Sequence, residues 1–486
     1  MNFIEEVLER FPASKPALVT IDRAGDRRQW HFGELIARSA GLSGAFAARG
    51  VGRGDVVMTL VGSRIEWVLS LLACWRMGAV ALPCNTQLRR MDLKHRASAA
   101  NPVLCVGEEE PLTELPDGIP YMTTAEVAAV MDEERPQEPP VEPADLDPED
   151  PALIIFTSGT TGVPRGAVHV QRYLTGQSLQ ARHWYEPREG ELAWCTAATG
   201  WSKSSRNSFV AAWLMGAAAL LHDGRFDPEE RLEIIEHERV NVLCQAPTEY
   251  RMIAKRAELR PLPSIRRMVA AGEALDPEVI AAFRERVGIE IHDGYGQSET
   301  GALTGVQPED ELQPGSMGRP LPGIELRIAD GELQLRAATC PTFFAGYLGA
   351  DGGPDLIEGE WWATGDYVRE DEDGTMWFEG RGDDIIVSAG YRIGPYEVES
   401  ALVSHPAVAE AAAVSAPDAE RGSVVRAIVV LREGPASEEL ARELQDHVKR
   451  VTAPYKYPRI VEFADGLPKT SSGKIKRSEL RGNSRS

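Results

Sequence analysis

The chain has 486 residues, more than one typical domain, and 43% of them are hydrophobic while 26% are charged. These values are ordinary for a globular protein that buries sizeable cores. A net charge of −22 argues against a general nucleic-acid binder, so a site for a polyanionic nucleotide has to gather positive charge locally. No apolar run is long enough to span a membrane, and the N-terminus lacks a basic-then-apolar signal pattern. The sequence therefore predicts a cytoplasmic protein.

Cysteine usage supports the same compartment. The six cysteines are scattered and form no Cys-x-x-Cys pair: Cys74, Cys84, Cys105, Cys195, Cys244 and Cys340. This pattern predicts buried, reduced side chains, because a disulfide framework or a zinc site needs closer and more regular spacing.

Strand and helix patterns alternate in the first part of the chain. Helical patterns cover residues 30–50 and 66–77, and apolar strand-like runs cover residues 56–60 and 79–83. Such alternation predicts layered parallel α/β structure. Residues 136–150 are rich in proline and acid, which predicts an exposed connection.

The stretch 157–166, Thr-Ser-Gly-Thr-Thr-Gly-Val-Pro-Arg-Gly, follows an apolar run predicted to be a buried strand. Its glycines let backbone N–H groups approach an anion, and the hydroxyls and Arg165 add donors and charge. The composition fits a phosphate cradle, although it is not a Walker A loop. A polar surface turn is the alternative.

A second glycine-rich stretch, residues 293–300, reads Asp-Gly-Tyr-Gly-Gln-Ser-Glu-Thr. Tyr295 can stack on a purine, Ser298 can donate to a phosphate oxygen, and Glu299 can hold Mg²⁺. Asp366 follows a turn and can accept hydrogen bonds from both ribose hydroxyls, although turn-capping aspartates are common. The alternative for the stretch 293–300 is a structural glycine loop.

The pattern changes towards the C-terminus. Residues 315–380 show short, alternating strands, and the polar stretch 380–386, Gly-Arg-Gly-Asp-Asp-Ile-Ile, marks a domain boundary. Beyond it, strands and helices, one of them expected at residues 438–451, predict a compact α+β domain of about a hundred residues. The chain then presents a basic loop at 467–477, Leu-Pro-Lys-Thr-Ser-Ser-Gly-Lys-Ile-Lys-Arg, for which a solvated tail is the alternative.

In this order, the four stretches 157–166, 293–300, 380–386 and 467–477 resemble motifs of the acyl-adenylate-forming superfamily, which contains acyl-CoA synthetases, peptide-synthetase adenylation domains and luciferases. The resemblance covers nearly the whole chain from about residue 20. Residues 294–297 and 454–459 look most like medium-chain acyl-CoA synthetases. Two positions depart from the pattern of the superfamily: Arg165 replaces the usual lysine and keeps its charge but not its shape, and Ser298 replaces threonine and keeps the hydroxyl.

The resemblance implies a fold. We expect an α/β protein with a large N-terminal domain of layered sheets at residues 1–382 and a small β-barrel subdomain at about 315–380. A small, mobile α+β C-terminal domain at residues 383–486 should follow it.

The resemblance also implies an activity: an AMP-forming acyl-CoA synthetase that uses ATP, Mg²⁺ and CoA to activate a medium-chain fatty or aromatic acid. The alternative is a stand-alone adenylation enzyme that loads an acyl carrier protein. The identity of the thiol acceptor, free CoA or a carrier protein, would distinguish the two activities. Lys474, Glu299 and Asp366 argue against a third reading, a regulatory nucleotide binder without catalysis. A homodimer is left open.

The resemblance assigns roles to individual residues. Lys474 and Glu299 are expected to be catalytic, Glu299 also binding the metal, and Asp383 is expected to be the hinge. The expected CoA contacts are Gly390, Arg392, Lys456 and Arg459. The expected ATP and AMP contacts are Thr157, Ser158, Gly159, Thr160, Thr161, Gly162, Arg165, Gly272, Glu273, Ala274, Asp293, Gly294, Tyr295, Gly296, Gln297, Ser298, Asp366 and Arg381.

Two residues are expected to shape the acid pocket. Trp201 should form one wall, with a core aromatic as the alternative. Acetate-specific members of the superfamily carry tryptophan where this chain has Gly296, so we expect an open slot there. This slot predicts a preference for medium-length or compact aromatic acids over acetate.

Overall fold

The computed structural model of the protein describes residues 1–132, 138–157, 164–273, 275–349, 352–382, 384–388, 391–418, 422–452, 454–469 and 475–482. Its strands, in chain order, are β1 (Pro16–Ile21), β2 (Arg27–His31), β3 (Val56–Leu60), β4 (Val80–Pro83), β5 (Leu104–Gly107), β6 (Tyr121–Thr123), β7 (Pro151–Thr157), β8 (Arg165–Val170), β9 (Leu192–Cys195), β10 (Ala218–His222), β11 (Val242–Gln245), β12 (Arg267–Ala271), β13 (Ile291–Gln297), β14 (Gly301–Gly305), β15 (Arg319–Pro320), β16 (Leu326–Ala329), β17 (Glu332–Arg336), β18 (Gly346–Leu348), β19 (Pro354–Leu356), β20 (Trp361–Glu370), β21 (Met376–Arg381), β22 (Ile386–Ser388), β23 (Tyr391–Ile393), β24 (Val408–Asp418), β25 (Gly422–Leu431) and β26 (Ile460–Phe463).

The α-helices, in chain order, are α1 (Phe32–Ala48), α2 (Ile65–Met77), α3 (Arg90–Ala100), α4 (Glu109–Leu112), α5 (Thr124–Asp132), α6 (Gln171–Gly176), α7 (Ser178–Gln180), α8 (Ser202–Asn207), α9 (Val210–Leu214), α10 (Pro228–Glu238), α11 (Pro247–Arg256), α12 (Pro277–Arg286), α13 (Pro395–Val403), α14 (Glu438–Val451) and α15 (Arg477–Gly482). None of these helices is both long and apolar enough to cross a membrane.

Two large sheets organise the N-terminal part. The nine-stranded sheet has the order β15-β14-β13-β12-β11-β9-β10-β1-β2, and the eight-stranded sheet has the order β19-β18-β8-β7-β4-β3-β5-β6. Their central strands pair in parallel, while β13–β14 and β7–β8 are antiparallel hairpins. Parallel strands are covered on both faces, which explains why every residue of β12 is buried.

One hydrophobic core contains residues of both sheets and of the helices beside them. Helix α2 is buried along its whole length, as expected for a helix that is apolar on all sides apart from Glu66, Ser70 and Arg76. Its Trp67 and Trp75 lie against Phe209, with ring centroids 5.5 and 6.1 Å apart. All six cysteines are buried and free, as the sequence predicts.

The β-barrel expected at about 315–380 is not confirmed. Within the described residues, β16, β17, β20 and β21 form one four-stranded antiparallel sheet. The short strands β18 and β19 instead extend the eight-stranded sheet, because Tyr347 pairs with Ala167 of β8. This pairing brings residues 346–348 beside the phosphate-loop hairpin.

The C-terminal part has its own core. Strands β24, β25 and β26 form a three-stranded sheet, and residues of α13 and α14 pack on it. Helix α14 begins with Ser437 as its N-cap, whose side chain accepts a hydrogen bond from the backbone N–H of Leu440. A large α/β part followed by a small α+β part confirms the fold class, while the boundary between residues 382 and 383 stays a prediction.

Candidate active site

The stretch 293–300 covers most of β13 and the turn into β14, on the side of the nine-stranded sheet where the parallel strands have their carboxyl ends. Strand β13 runs parallel to β12 and then turns back into β14, with a register shift between Tyr295 and Gly296. Ligands of open α/β sheets bind outside the carboxyl ends of the parallel strands, where this hairpin lies. The hairpin therefore presents Tyr295, Gln297, Ser298 and Glu299 at the expected edge.

A carboxylate joins this hairpin to the four-stranded sheet. The Tyr295 hydroxyl donates to Asp366 Oδ2 at 2.6 Å, and Gln297 Nε2 donates to the same oxygen at 2.7 Å. Arg381 Nε lies 3.4 Å from Asp366 Oδ1. Burial, followed by the Asp366 charge, raises the pKa of Tyr295 well above its usual value, so the hydroxyl remains a donor. Charge-assisted hydrogen bonds of this kind are strong and hold the carboxylate in place.

A second network joins the phosphate-loop hairpin to Glu299. The Arg165 guanidinium lies 3.6 Å from the centre of the Tyr347 ring, and the Tyr347 hydroxyl donates to Glu299 Oε1 at 2.8 Å. The backbone N–H of Phe344 also donates to the Glu299 carbonyl at 2.8 Å. Tyr347 thus connects Arg165, the cation expected to bind phosphate, with Glu299, the expected metal ligand. Sequence reasoning missed Tyr347, whose only signal was an aromatic residue after Gly346 in the region expected to form the barrel.

A buried acid of β13, Asp293, and a lysine of α8, Lys203, lie beside the carboxyl end of β12. Asp293 accepts a hydrogen bond from the backbone N–H of Gly294 at 2.9 Å, and Lys203 Nζ donates to the Ala271 carbonyl at 2.6 Å. Burial raises the pKa of Asp293 to about 8, so it is mostly protonated at neutral pH. Glu273, in the turn after β12, accepts a hydrogen bond from the Thr248 hydroxyl at 2.6 Å.

Trp201 precedes helix α8, and 37% of its surface is exposed. It is therefore not a core aromatic, and its exposure fits the role of a pocket wall. The loop before it is anchored, since the Thr199 hydroxyl donates to the Val61 carbonyl at 2.7 Å.

Gly296 does not border the open slot that the sequence predicts. A Cβ built on Gly296 would lie 1.8 Å from the Gly301 carbonyl oxygen and 2.9 Å from the Cα of Ala302. The register shift directs this position at the backbone of β14, so the space beside Gly296 is filled. The expectation of a slot is corrected on this ground, and the place of Gly296 in the nucleotide site stays a prediction.

Several expected residues lie outside the described residues: Ser158, Gly159, Thr160, Thr161, Gly162, Ala274, Asp383, Gly390 and Lys474. Thr157 and Arg165, which flank the phosphate loop, pair across β7 and β8.

Three expected CoA contacts lie in the C-terminal part. Arg392 is in β23, Lys456 forms a 2.6 Å ion pair with Glu397, and the Arg459 guanidinium lies 5.0 Å from the Tyr457 ring centre. The structure does not bring Lys456 or Arg459 into the networks around Asp366 and Glu299.

Comparisons with known proteins agree with this geometry. The model of the family "AMP-binding enzyme" matches residues 4–347, and that of "AMP-binding enzyme C-terminal domain" matches residues 397–474. An uncharacterized acyl–CoA ligase, YtcI, of Bacillus subtilis (strain 168) is 37% identical, covering 99% of this chain and 95% of that protein. The human mitochondrial acyl-coenzyme A synthetase ACSM4 is also 37% identical, covering 99% of this chain and 90% of its own.

Solved structures give the same result. An anthranilate CoA ligase, AuaEII, in complex with anthranoyl-AMP has a TM-score of 0.87 at 29% identity, covering 99% of this chain and 97% of its own. A benzoate CoA ligase from Burkholderia xenovorans LB400 has a TM-score of 0.87 at 26% identity, covering 99% of this chain and 100% of its own. The chain therefore belongs to the AMP-binding enzyme family of acyl-adenylate-forming proteins and is similar to the medium-chain acyl-CoA synthetases.

Proposed function

We propose that the protein, an AMP-forming acyl-CoA synthetase, activates a medium-length or aromatic carboxylic acid with ATP and passes the acyl group to coenzyme A. One observation carries the proposal. The Asp366 network and the Glu299–Tyr347–Arg165 network share the β13–β14 hairpin, so ribose-binding and phosphate-binding groups meet at one edge. A cytoplasmic location is part of the proposal.

The first network suits the nucleoside. A carboxylate oxygen offers more than one lone pair, so Asp366 can accept from the ribose hydroxyls while Tyr295 and Gln297 hold it in place. The Tyr295 ring offers a flat surface to the purine. Gln297 also donates to the Thr364 carbonyl at 2.7 Å, which fixes its amide.

The second network suits the phosphates. Arg165 stands at the end of the phosphate loop, and Ser298 supplies a hydroxyl beside Glu299. Glu299 would hold Mg²⁺, since Tyr347 occupies only its Oε1 and hard cations bind carboxylates together with phosphate oxygens. In the described part of the chain no set of three acidic, histidine or cysteine residues could hold a metal by itself. When bound, Mg²⁺ offsets negative charge on the phosphates.

The first half-reaction joins the acid to AMP. A carboxylate oxygen of the acid attacks the α-phosphorus of ATP, the bond to the bridging oxygen breaks, and pyrophosphate leaves. All reacting groups are negative, so positioning and electrostatic stabilisation dominate. Lys474 would bridge the carboxylate and the α-phosphate, a task suited to a compact ammonium on a flexible stem.

In the second half-reaction the CoA thiol gives up its proton to solvent, its sulfur attacks the acyl carbonyl, and AMP leaves with the electron pair of the broken C–O bond. Rotation of the C-terminal part about Asp383 would withdraw Lys474 and bring Gly390 and Arg392 to the acyl site. Lys456 would have to exchange its ion pair with Glu397 for a phosphate of CoA.

A panel of acids tests the proposal. Pyrophosphate release should depend on hexanoate, octanoate or benzoate, and an acyl-CoA should form when CoA is added. Release that continues without any acid, or acyl transfer to a carrier protein but not to CoA, would contradict it.

A further inference from the structure

Helix α8, which begins directly after Trp201, carries buried polar side chains. Ser202, Ser205 and Arg206 are spaced three and four residues apart, so they share one face of the helix. All three are buried, and Arg206 is only 6% exposed. Near this face lie His169 of β8 and Tyr173 of α6, whose rings are 4.0 Å apart. Burial raises the pKa of the Tyr173 hydroxyl, while the charge of Arg206 and hydrogen bonds with Ser202 and Arg206 act in the opposite direction, so both side chains lie beside this hydroxyl.

The hydroxyls and the guanidinium of this cluster lack hydrogen-bond partners outside it. The Ser202, Ser205 and Tyr173 hydroxyls and Arg206 Nε and Nη1 are buried without a hydrogen bond to any residue outside the cluster. Burial, and then the charge of Arg206, lowers the pKa of His169 to about 3, so the ring is neutral at pH 7. Unpaired buried polar groups are rare in folded proteins and mark a missing partner.

Arg206 differs from the other buried arginines of the described chain. Arg231, Arg267 and Arg426 have a carboxylate oxygen at 3.3, 3.9 and 2.6 Å, and Arg76 has one at 4.0 Å. Among the residues that the structure describes, Arg206 has no carboxylate in this range. A buried guanidinium without a counter-ion is strongly disfavoured, so the missing partner of Arg206 is an anion.

The cluster lies where the far end of an acid would reach. Arg206 Nη1 is 3.7 Å from the position that a Cβ on Gly301 would take, and Gly301 begins β14, two residues after Glu299. Along α8, Arg206 is five residues beyond Trp201, about 7.5 Å at the usual helical rise. A medium-length chain or a substituted ring spans this distance from the wall at Trp201.

We propose that the acid carries a second carboxylate at its far end, and that Arg206 binds this carboxylate together with the hydroxyls of Ser202, Ser205 and Tyr173. The inference rests on the proposed function and narrows its substrate class to dicarboxylic acids. The far carboxylate supplies the counter-ion that Arg206 lacks and accepts from the unpaired hydroxyls. A methyl end would leave all of these groups unpaired.

Matched acids of equal length test the inference. For hexanoate against adipate, octanoate against suberate, and benzoate against 3-carboxybenzoate, the diacid should have a kcat/KM about tenfold or more above the monoacid in at least one pair. Preference for the monoacid in every pair, or for 6-hydroxyhexanoate over adipate, overturns the inference while leaving the synthetase activity in place. Absence of turnover with all acids instead contradicts the proposed function.

Variants link the preference to Arg206. Arg206→Met should abolish the preference for the diacid, and Arg206→Lys should retain part of it. Arg76→Met is the matched control, since Arg76 is another buried arginine with an unpaired Nη1 but lies in α2 and donates to the Val141 carbonyl, so the diacid-to-monoacid ratio should not change. An unchanged ratio in Arg206→Met overturns the inference.

A binding measurement covers the case in which the Arg206→Met variant fails to fold or the wild-type enzyme shows no turnover. Without ATP, adipate or suberate should raise the melting temperature of the wild-type protein more than hexanoate or octanoate does. Equal shifts for the monoacid and the diacid overturn the inference.

Discussion

Substitutions of Gly296 test whether this position borders the acid pocket or packs against the backbone of β14. In Gly296→Ala, the new Cβ would lie 1.8 Å from the Gly301 carbonyl oxygen, less than an ordinary van der Waals contact. The hairpin has to open, at a cost typical of overpacking, about 1–3 kcal/mol of unfolding free energy. Opening also displaces Gln297, which donates to Asp366 at 2.7 Å. We therefore expect loss of stability together with loss of ATP use.

The assay combines urea denaturation with kcat/KM for acetate, hexanoate, octanoate and benzoate. Gly296→Ala and Gly296→Trp should lower kcat/KM for all four acids alike, with the larger loss for tryptophan. Gly466→Ala is the control, because no atom lies within 4 Å of a Cβ built there. A Gly296→Trp enzyme with wild-type stability and a new preference for acetate would refute this reasoning and restore the slot.

Three further substitutions test single residues. Lys474→Ala should abolish adenylation but spare thioester formation from a supplied acyl-adenylate, and adenylation at the wild-type rate would remove its assigned role. Tyr347→Phe keeps the ring under Arg165 but removes the hydrogen bond to Glu299. Calorimetry should therefore show ATP binding that is about tenfold weaker with Mg²⁺ and unchanged without Mg²⁺. An equal loss of affinity in both conditions would contradict the link between Tyr347 and the metal. The Asp293 carboxyl has a pKa near 3.8 in the unfolded chain but near 8 in the folded protein, so the wild-type protein loses roughly 1.4 kcal/mol of unfolding free energy per pH unit between these values. Asn does not ionise, so Asp293→Asn should become more stabilising, relative to wild type, as the pH rises from 5 to 8. A stability difference that does not change with pH would contradict the protonated state of Asp293.

Local sequence pattern predicted the helices that have the strongest signals. The helix expected at residues 66–77 is Ile65–Met77, and the C-terminal helix Glu438–Val451 has the expected bounds. Both have strong signals, a continuous apolar run and a capped amphipathic helix. The barrel is not confirmed, because strand pattern does not determine pairing partners and β18 pairs with β8, which is far away in the sequence.

Only those residues of the candidate site that belong to sequence motifs could be predicted. Tyr295 and Asp366 were both assigned to the nucleotide, and the structure joins them across 71 positions. Tyr347 and Arg206 were missed because the roles proposed for them depend on tertiary neighbours. These neighbours are Glu299 for Tyr347, and the side chains of α8, His169 and Tyr173 for Arg206. Gly296 was assigned to an open slot because the direction of a side chain depends on a register shift that the sequence does not show.

Product analysis tests the central claim most directly. Purified enzyme with ATP, Mg²⁺, CoA and its preferred acid should form acyl-CoA, AMP and pyrophosphate in equal amounts, and acyl-adenylate should accumulate when CoA is omitted. Formation of ADP and phosphate, or acyl-CoA formation without AMP, would contradict an adenylate-forming mechanism.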